Sequence, residues 1–407
     1  MAVNLPPMGE LVPVKGMRLG SACAGIKQKV RNDVTVILLD EGTTVAGVFT
    51  RSSFAAAPVQ ICRQVLAAGG VRALVINSGN ANAATGEPGR VDAGLICDQV
   101  AMATNDGFSG AQVLPFSTGV IGQRLPVERM NPAVAEAAAK AKPEGWEDAA
   151  LAIMTTDTGP KALSRTVEIN GVEVTITGIC KGAGMIKPDM ATMLAYIGCD
   201  AAVSDSCLQR LAKRVADKSF NRVTVDGDTS TNDSFVICAT GAADVAITDL
   251  DSAEGQLLET AMTGVALELA QRIIRDAEGA TKFVTVRVSG AQSAREALNV
   301  AYTVAESPLV KTAIFAGDPN WGRFCMAIGR SGIPDLDTNR VSVHLDAVCI
   351  ARGGQIAAEY VEENAARVMA QDEFVVHIDL GRGEYEETVW TADLSYEYVR
   401  INAEYRS

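Results

Sequence analysis

A chain of 407 residues with 48% hydrophobic and 21% charged side chains has the composition of a globular protein, and it exceeds the roughly 250–300 residues that one core usually serves. Its formal net charge of −13 sets up a field that repels phosphate backbones and anionic headgroups, so nucleic acid and membrane surfaces are poor partners. Disordered and collagen-like classes are excluded by the same composition, and no uninterrupted apolar stretch approaches the length of a bilayer span.

From the N-terminus, alternating apolar and β-branched residues predict strands at 34–39, 45–50 and 73–77. A helix is predicted at 91–104, a strand at 113–116 and a second helix at 132–142. Strands at 165–169 and 172–179 lead into a glycine-containing loop, and a further apolar run begins at Thr192. Helix 206–220, strand 235–239 and a long helix 254–276 follow. A boundary before Thr281 opens a C-terminal subdomain from about 281, with strand 283–288, helix 294–306, strand 341–349, helix 359–370 and strands 374–378 and 387–391. The interleaving lacks the strict beat of a parallel doubly wound sheet, which predicts an α/β fold of layered, mixed sheets.

The nine cysteines are odd in number, scattered, never spaced as Cys-x-x-Cys and mostly set in apolar runs, which predicts reduced thiols and a cytoplasmic protein. The opening Met-Ala-Val-Asn-Leu-Pro-Pro has neither the basic start nor the apolar core of an export signal. Only two histidines occur, His344 and His377, and both fall in strand-period stretches. Ser-His-Asp, Cys-His and most zinc chemistries therefore lack a natural base or ligand here.

The stretch Gly178-Ile-Cys-Lys-Gly-Ala-Gly-Met-Ile-Lys-Pro-Asp-Met-Ala-Thr-Met-Leu-Ala-Tyr-Ile-Gly198 is the most informative. Thr192 stands at its loop-to-strand junction, where a hydroxyl can be aimed into a cleft while the strand behind it keeps the backbone rigid. On this segment alone, an ordinary β-branched strand residue is the simpler reading. Lys181-Gly-Ala-Gly meets neither the spacing Gly-x4-Gly-Lys-Ser/Thr nor Gly-x-Gly-x-x-Gly of phosphate loops. Asp226-Gly-Asp-Thr-Ser-Thr-Asn-Asp233 has Thr231 and Ile237 where a calcium loop needs glycine and glutamate, so a hydrogen-bonded turn is expected and no metal. Ser117-Thr-Gly119 read without context is a plain turn, and Asn77 to Gly86 a structural loop.

The whole constellation resembles the ornithine acetyltransferase family of arginine biosynthesis, whose members cut themselves at an Ala-Thr bond. The resemblance is carried by Asn77-Ser-Gly-Asn-Ala-Asn-Ala-Ala-Thr-Gly86, Ser117-Thr-Gly-Val-Ile-Gly122, Met154-Thr-Thr-Asp-Thr158 and Lys181-Gly-Ala-Gly-Met before the Met-Ala-Thr-Met site. Beyond that site it continues through Thr224-Val-Asp-Gly-Asp-Thr-Ser-Thr-Asn-Asp233, Gly317-Asp-Pro-Asn-Trp-Gly-Arg323 and Tyr398-Val-Arg-Ile-Asn-Ala-Glu-Tyr-Arg-Ser407. It implies the mixed-sheet architecture shared with self-cleaving aminopeptidases, with a smaller C-terminal α/β domain. It also implies scission between Ala191 and Thr192, giving chains 1–191 and 192–407 that associate as two copies of each.

The implied activity is ping-pong transfer of acetyl from N-acetylornithine to glutamate through an acetyl-threonine on Thr192, releasing ornithine and N-acetylglutamate. An N-terminal threonine needs no histidine, because its own α-amine, titrating near ~7.7–8.0, can take the hydroxyl proton. By the same resemblance Thr118 and Gly119 form the oxyanion hole, and the substrate contacts are Thr155 (or its neighbour Thr156), Lys181, Thr192, Glu278, Asn402 and Ser407. Lysine suits a substrate carboxylate, and glutamate an amino group. No cofactor is implied. Members either recycle acetyl only or also take acetyl-coenzyme A as donor, and no dedicated coenzyme A motif separates the two here. Two other readings stay open: a self-cleaving aminopeptidase or amidase with water as acceptor, and a non-catalytic amino-acid-binding protein.

Overall fold

The computed structural model describes residues 2–26, 31–187 and 193–404. Two sheets face one another. The first runs Met17–Ala22, Val34–Leu39, Ala73–Asn80, Val113–Val120, antiparallel except for its last pair. The second runs Thr44–Phe49, Ser234–Ala239, Leu194–Cys199, Val172–Lys181, Lys161–Ile169, with only Ser234–Ala239 and Leu194–Cys199 parallel.

Side chains alternate across a strand, and that period decides what each sheet faces. In Val34–Leu39, Ile37 and Leu39 join the core between the sheets, while Val34, Val36 and Leu38 pack with the helices Gly86–Thr104 and Val127–Ala139. In the second sheet Leu194, Tyr196, Val236 and Cys238 turn inward. Their neighbours Ala195, Ile197, Phe235 and Ile237 pack on the helices Asp205–Lys218 and Ala253–Arg275. The outcome is four layers, helix, sheet, sheet and helix. Strands buried on both faces read as continuous apolar runs, as Val34–Leu39 does. Phe116 and Tyr196 meet edge-on between the sheets, with ring centroids 5.1 Å apart.

A third sheet of seven strands follows the order Val223–Thr224, Tyr385–Ala392, Phe283–Ala291, Glu373–Asp379, Ser342–Leu345, Val348–Arg352, Gln355–Ile356. One of its faces is covered by Ala294–Ala305, Pro308–Ala316, Trp321–Gly329 and Glu362–Met369. His344 and His377 both lie on strands of this sheet, with ring centroids 6.0 Å apart.

Three expectations need correction. Ser117 to Gly119 is not a turn after a strand ending at 116, because the strand Val113–Val120 runs through it, paired with Ala73–Asn80. The run 341–349 is a hairpin, Ser342–Leu345 and Val348–Arg352, and not one strand. It turns at Asp346, whose φ of 48° is a left-handed conformation that aspartate tolerates. The stretch Asn77 to Gly86 is not all loop, because the strand Ala73–Asn80 runs into it and the helix Gly86–Thr104 starts at its end. The strand Met17–Ala22 carried no clear period because Gly20 and Ser21 interrupt it. Gly20 is required there: a Cβ would lie 2.1 Å from the Ala137 carbonyl oxygen.

Candidate active site

The two facing sheets end together, and a cavity of about 270 Å³ opens at that end. Thr118 and Gly119 come from the end of Val113–Val120, and Lys181 is the last residue of Val172–Lys181. Strand period explains why Lys181 enters the cleft: Cys180 packs towards the helices and Ile179 between the sheets, and Lys181 shares the side of Ile179. Its Nζ donates to Thr118 Oγ1 at 3.2 Å. Gly119 has a φ of 133°, and a Cβ there would lie 2.3 Å from the Gly79 carbonyl carbon, so no other residue fits without moving the adjacent strand.

Three further elements close the cavity. The loop after the helix Trp146–Ala152 supplies Thr155 and Thr156, both of which line it. Glu278 follows the helix Ala253–Arg275; its N–H donates to Ala183 O at 2.8 Å, and its Oε2 accepts from Asn402 Nδ2 at 2.8 Å. Asn402 sits on the helix Tyr396–Ala403, which carries it to the cavity. Gly184 backs directly on Glu278, where a Cβ would stand 2.4 Å from Oε2.

Met193 and Leu194 also line the cavity, and Ser234 N–H donates to Met193 O at 2.8 Å, fixing where the strand Leu194–Cys199 begins. The strand therefore starts two residues after Thr192, the start expected from the apolar run. Ala191, Thr192 and Ser407 lie outside the described residues. Of the remaining sequence candidates, Thr118, Gly119, Thr155, Lys181, Glu278 and Asn402 all line this one cavity.

Residues that sequence reasoning passed over hold the site from behind. Lys161 is fully buried and pairs with Asp157 Oδ1 at 2.7 Å and Asp276 Oδ2 at 2.6 Å. Asp157 also accepts from Gly182 N–H at 2.8 Å and Thr155 N–H at 2.8 Å, so one carboxylate positions the backbones beside Lys181 and at Thr155. Burial alone would raise the Asp157 carboxyl, but Lys161 and Lys181 overcome it and hold the group well below the usual carboxylate range. Asp276 accepts from Thr158 N–H at 2.9 Å and from the Thr158 hydroxyl. The spacing Asp157 to Lys161 was visible in sequence, but nothing marked it as buried.

Asn232 and Asp233 belong to the loop set aside as a turn. Asn232 Nδ2 donates to Ala81 O at 2.6 Å and Ser117 O at 2.8 Å, tying the loop to the first sheet. Asp233 lines the cavity, and among the described residues its Oδ2 is buried without a hydrogen-bond partner. Burial pushes its carboxyl well above the usual range against the opposing pull of Ser230 and Lys181. Lys181 shifts the other way, lowered chiefly by burial, with Asp157, Asp233 and Glu278 pulling it back.

A cleft at the open end of two facing sheets, lined by hydroxyls, a close-packed glycine backbone, a buried lysine and carboxylates, defines an α/β enzyme that handles a small charged molecule. Residues 18–407 match the ArgJ family, and the chain belongs to it. Two curated relatives, each an arginine biosynthesis bifunctional protein ArgJ, come from Pseudomonas syringae pv. tomato and Pseudomonas fluorescens. Each is 53% identical over 410 residues, covering 100% of both chains. Among solved structures, the arginine biosynthesis bifunctional protein argJ of Bacillus halodurans is 35% identical, with a TM-score of 0.49 over 51% of this chain and 98% of that one. The ornithine acetyltransferase of Mycobacterium tuberculosis, complexed with ornithine, is 36% identical, with a TM-score of 0.39 over 44% of this chain and 94% of that one.

Proposed function

We propose that this enzyme of arginine biosynthesis transfers acetyl from N-acetylornithine to glutamate by a ping-pong route, with Thr192 as the acyl carrier. Thr192 Oγ first attacks the Ala191 carbonyl carbon; the C–N bond breaks and the hydroxyl proton ends on the Thr192 nitrogen. Water then hydrolyses the resulting ester, leaving an Ala191 carboxylate and a free threonine hydroxyl beside a free amine. In turnover that amine takes the hydroxyl proton while Oγ accepts acetyl from N-acetylornithine, and glutamate later removes it. Thr118 and Gly119 stabilise the oxyanion of each step. Lys181 holds a substrate carboxylate, Glu278 an amino group, and Thr155 and Asn402 fix orientation.

The observation that carries this reading is the convergence of Thr118, Gly119, Thr155, Lys181, Glu278 and Asn402 on one cavity whose rim includes Met193, the residue bonded to Thr192. The curated relatives are named bifunctional, which supports acetyl-coenzyme A as a second donor and so de novo synthesis of N-acetylglutamate. The assembly is two copies of each cut chain. All nine cysteines are free thiols, in keeping with a reducing cytoplasm. No described helix is long and apolar enough to cross a membrane.

The test is the intact mass of purified protein, before and after N-acetylornithine. Two fragments meeting at Ala191 and Thr192 are expected, the second gaining one acetyl group that glutamate discharges. Acetate release independent of glutamate would make the protein a hydrolase. A whole, unacetylated chain that still bound ornithine would make it a binding protein.

A further inference from the structure

The chain entering the scission site is tied down by the C-terminal sheet. Asp226, just after the edge strand Val223–Thr224 of that sheet, accepts from Met185 N–H at 2.7 Å and Ile186 N–H at 2.9 Å. The same carboxylate accepts from Asp228 N–H at 3.2 Å and the Tyr398 hydroxyl at 3.0 Å. Ile186 O in turn accepts from Val225 N–H at 2.8 Å and Thr224 Oγ1 at 3.0 Å. Lys187 pairs with Glu306 at 3.0 Å, at the end of the helix Ala294–Ala305, and its carbonyl accepts from Thr229 Oγ1 at 3.2 Å.

Three consecutive residues thus have backbone or side-chain groups engaged by this one surface. Met185 moreover holds a φ of 54°, a left-handed conformation that is costly for a side-chain-bearing residue and persists only where its surroundings impose it. In that conformation the Met185 N–H is bonded to Asp226. On the far side of the bond, Met193 O is fixed by Ser234 N–H. Only residues 188–192 separate the two fixed ends.

We infer that Asp226 and Glu306 are positioning residues for self-cleavage: they anchor Met185–Lys187 so that the Ala191–Thr192 bond is presented to its own hydroxyl. Attack on the preceding carbonyl is a reaction of neighbours within one chain, and its rate depends on how narrowly the reacting atoms are held near attack geometry. An anchored entry and an anchored exit supply that restriction. The inference rests on the scission reading above, and it gives the C-terminal sheet a part in maturation that the cavity lining alone does not.

The experiment follows the loss of the whole chain on denaturing gels and by mass after pulse expression of full-length protein. Asp226→Asn keeps the volume but leaves one carbonyl oxygen where two carboxylate oxygens served; its cutting half-time is expected to lengthen about tenfold or more. Glu306→Gln is expected to lengthen it about threefold, since the Lys187 pair is partly exposed. Acetyl transfer per cut molecule should stay within about twofold of wild type in Glu306→Gln, because Glu306 does not line the cavity. Cutting of Asp226→Asn within about twofold of wild type would overturn the anchor. So would a parallel fall in scission and in transfer per cut molecule in Glu306→Gln. A wild-type chain that stays whole while active would remove the scission reading itself, and the anchor with it.

Discussion

Lys181 Nζ donates to Thr118 Oγ1 at 3.2 Å, a bond that joins the ends of the two facing sheets across the mouth of the cleft. One residue comes from a strand of each sheet, so the geometry of the mouth depends on how the sheets are stacked. The lysine is therefore placed by the core beneath it and not by a flexible loop.

Replacing Lys181 by methionine keeps the buried stem and deletes the charge. We expect kcat/KM for N-acetylornithine to fall at least about 100-fold, the scale of removing a desolvated charged partner. Burial lowers the lysine, so in the wild type its ammonium is lost at a pH below the ordinary lysine range. Activity should accordingly decline on the alkaline side earlier than an exposed lysine would dictate. A pH–rate profile of wild type beside Lys181→Met checks this, and a shared alkaline limb would refute the assignment.

Gly119→Ala tests the backbone at the mouth. The new methyl would stand 2.3 Å from the Gly79 carbonyl carbon, so either Val113–Val120 or Ala73–Asn80 must shift. The expected outcome is a folded protein with transfer reduced about 100-fold or more and ornithine affinity changed far less, since an oxyanion donor, the role proposed for Gly119, acts in the transition state. Isothermal titration beside steady-state kinetics separates the two quantities.

Lys161→Met would leave Asp157 and Asp276 buried without their shared cation. Breaking a buried pair by removing one partner typically costs about 3–5 kcal/mol. The loss should appear in urea unfolding as a lower midpoint at unchanged slope. The wild type should also lose stability as pH falls through the depressed Asp157 titration: the group's contribution is present above the unfolded value of about 3.9 and disappears below the folded one. If Lys161→Met unfolds at the wild-type midpoint, the buried cluster is not what holds this region.

Asp233→Asn should behave in the opposite sense. A carboxyl raised by burial is compatible with the fold while protonated, and stability is lost as pH rises from the unfolded value towards the folded one. The amide cannot ionise, so the variant should melt higher than its parent near pH 8, and the difference should vanish below about pH 4. Melting curves in the Thr192→Ala background, where no new amine is formed, give the cleanest comparison. A variant that melts lower at pH 8 would show that the anion is needed.

How much was visible beforehand follows from what each residue's neighbours in sequence could reveal. Strands such as Val34–Leu39 were readable because burial on both faces demands an apolar residue at nearly every position. The hairpin at Asp346 was not, because one left-handed aspartate within a strand pattern leaves little trace in composition. Lys181 and Glu278 were reached through the resemblance, and the cavity places them together. Asp157, Lys161, Asp233 and Asp226 were missed because their importance lies in burial and in partners more than a hundred residues away or on other strands. The loop 226–233 was read as a turn, but its acceptors hold a distant backbone.

The strand order of the second sheet bears on the fate of the two products that the proposed scission would give. Residues 1–191 provide Thr44–Phe49 at one flank and Val172–Lys181 with Lys161–Ile169 at the other, while Leu194–Cys199 and Ser234–Ala239, from beyond residue 191, lie between them. The pieces are interlaced like the fingers of two hands, and parting them would unzip two hydrogen-bonded ladders and expose the sandwich interior. Dilution should therefore never separate two such products, and a chain severed there should melt as one cooperative body.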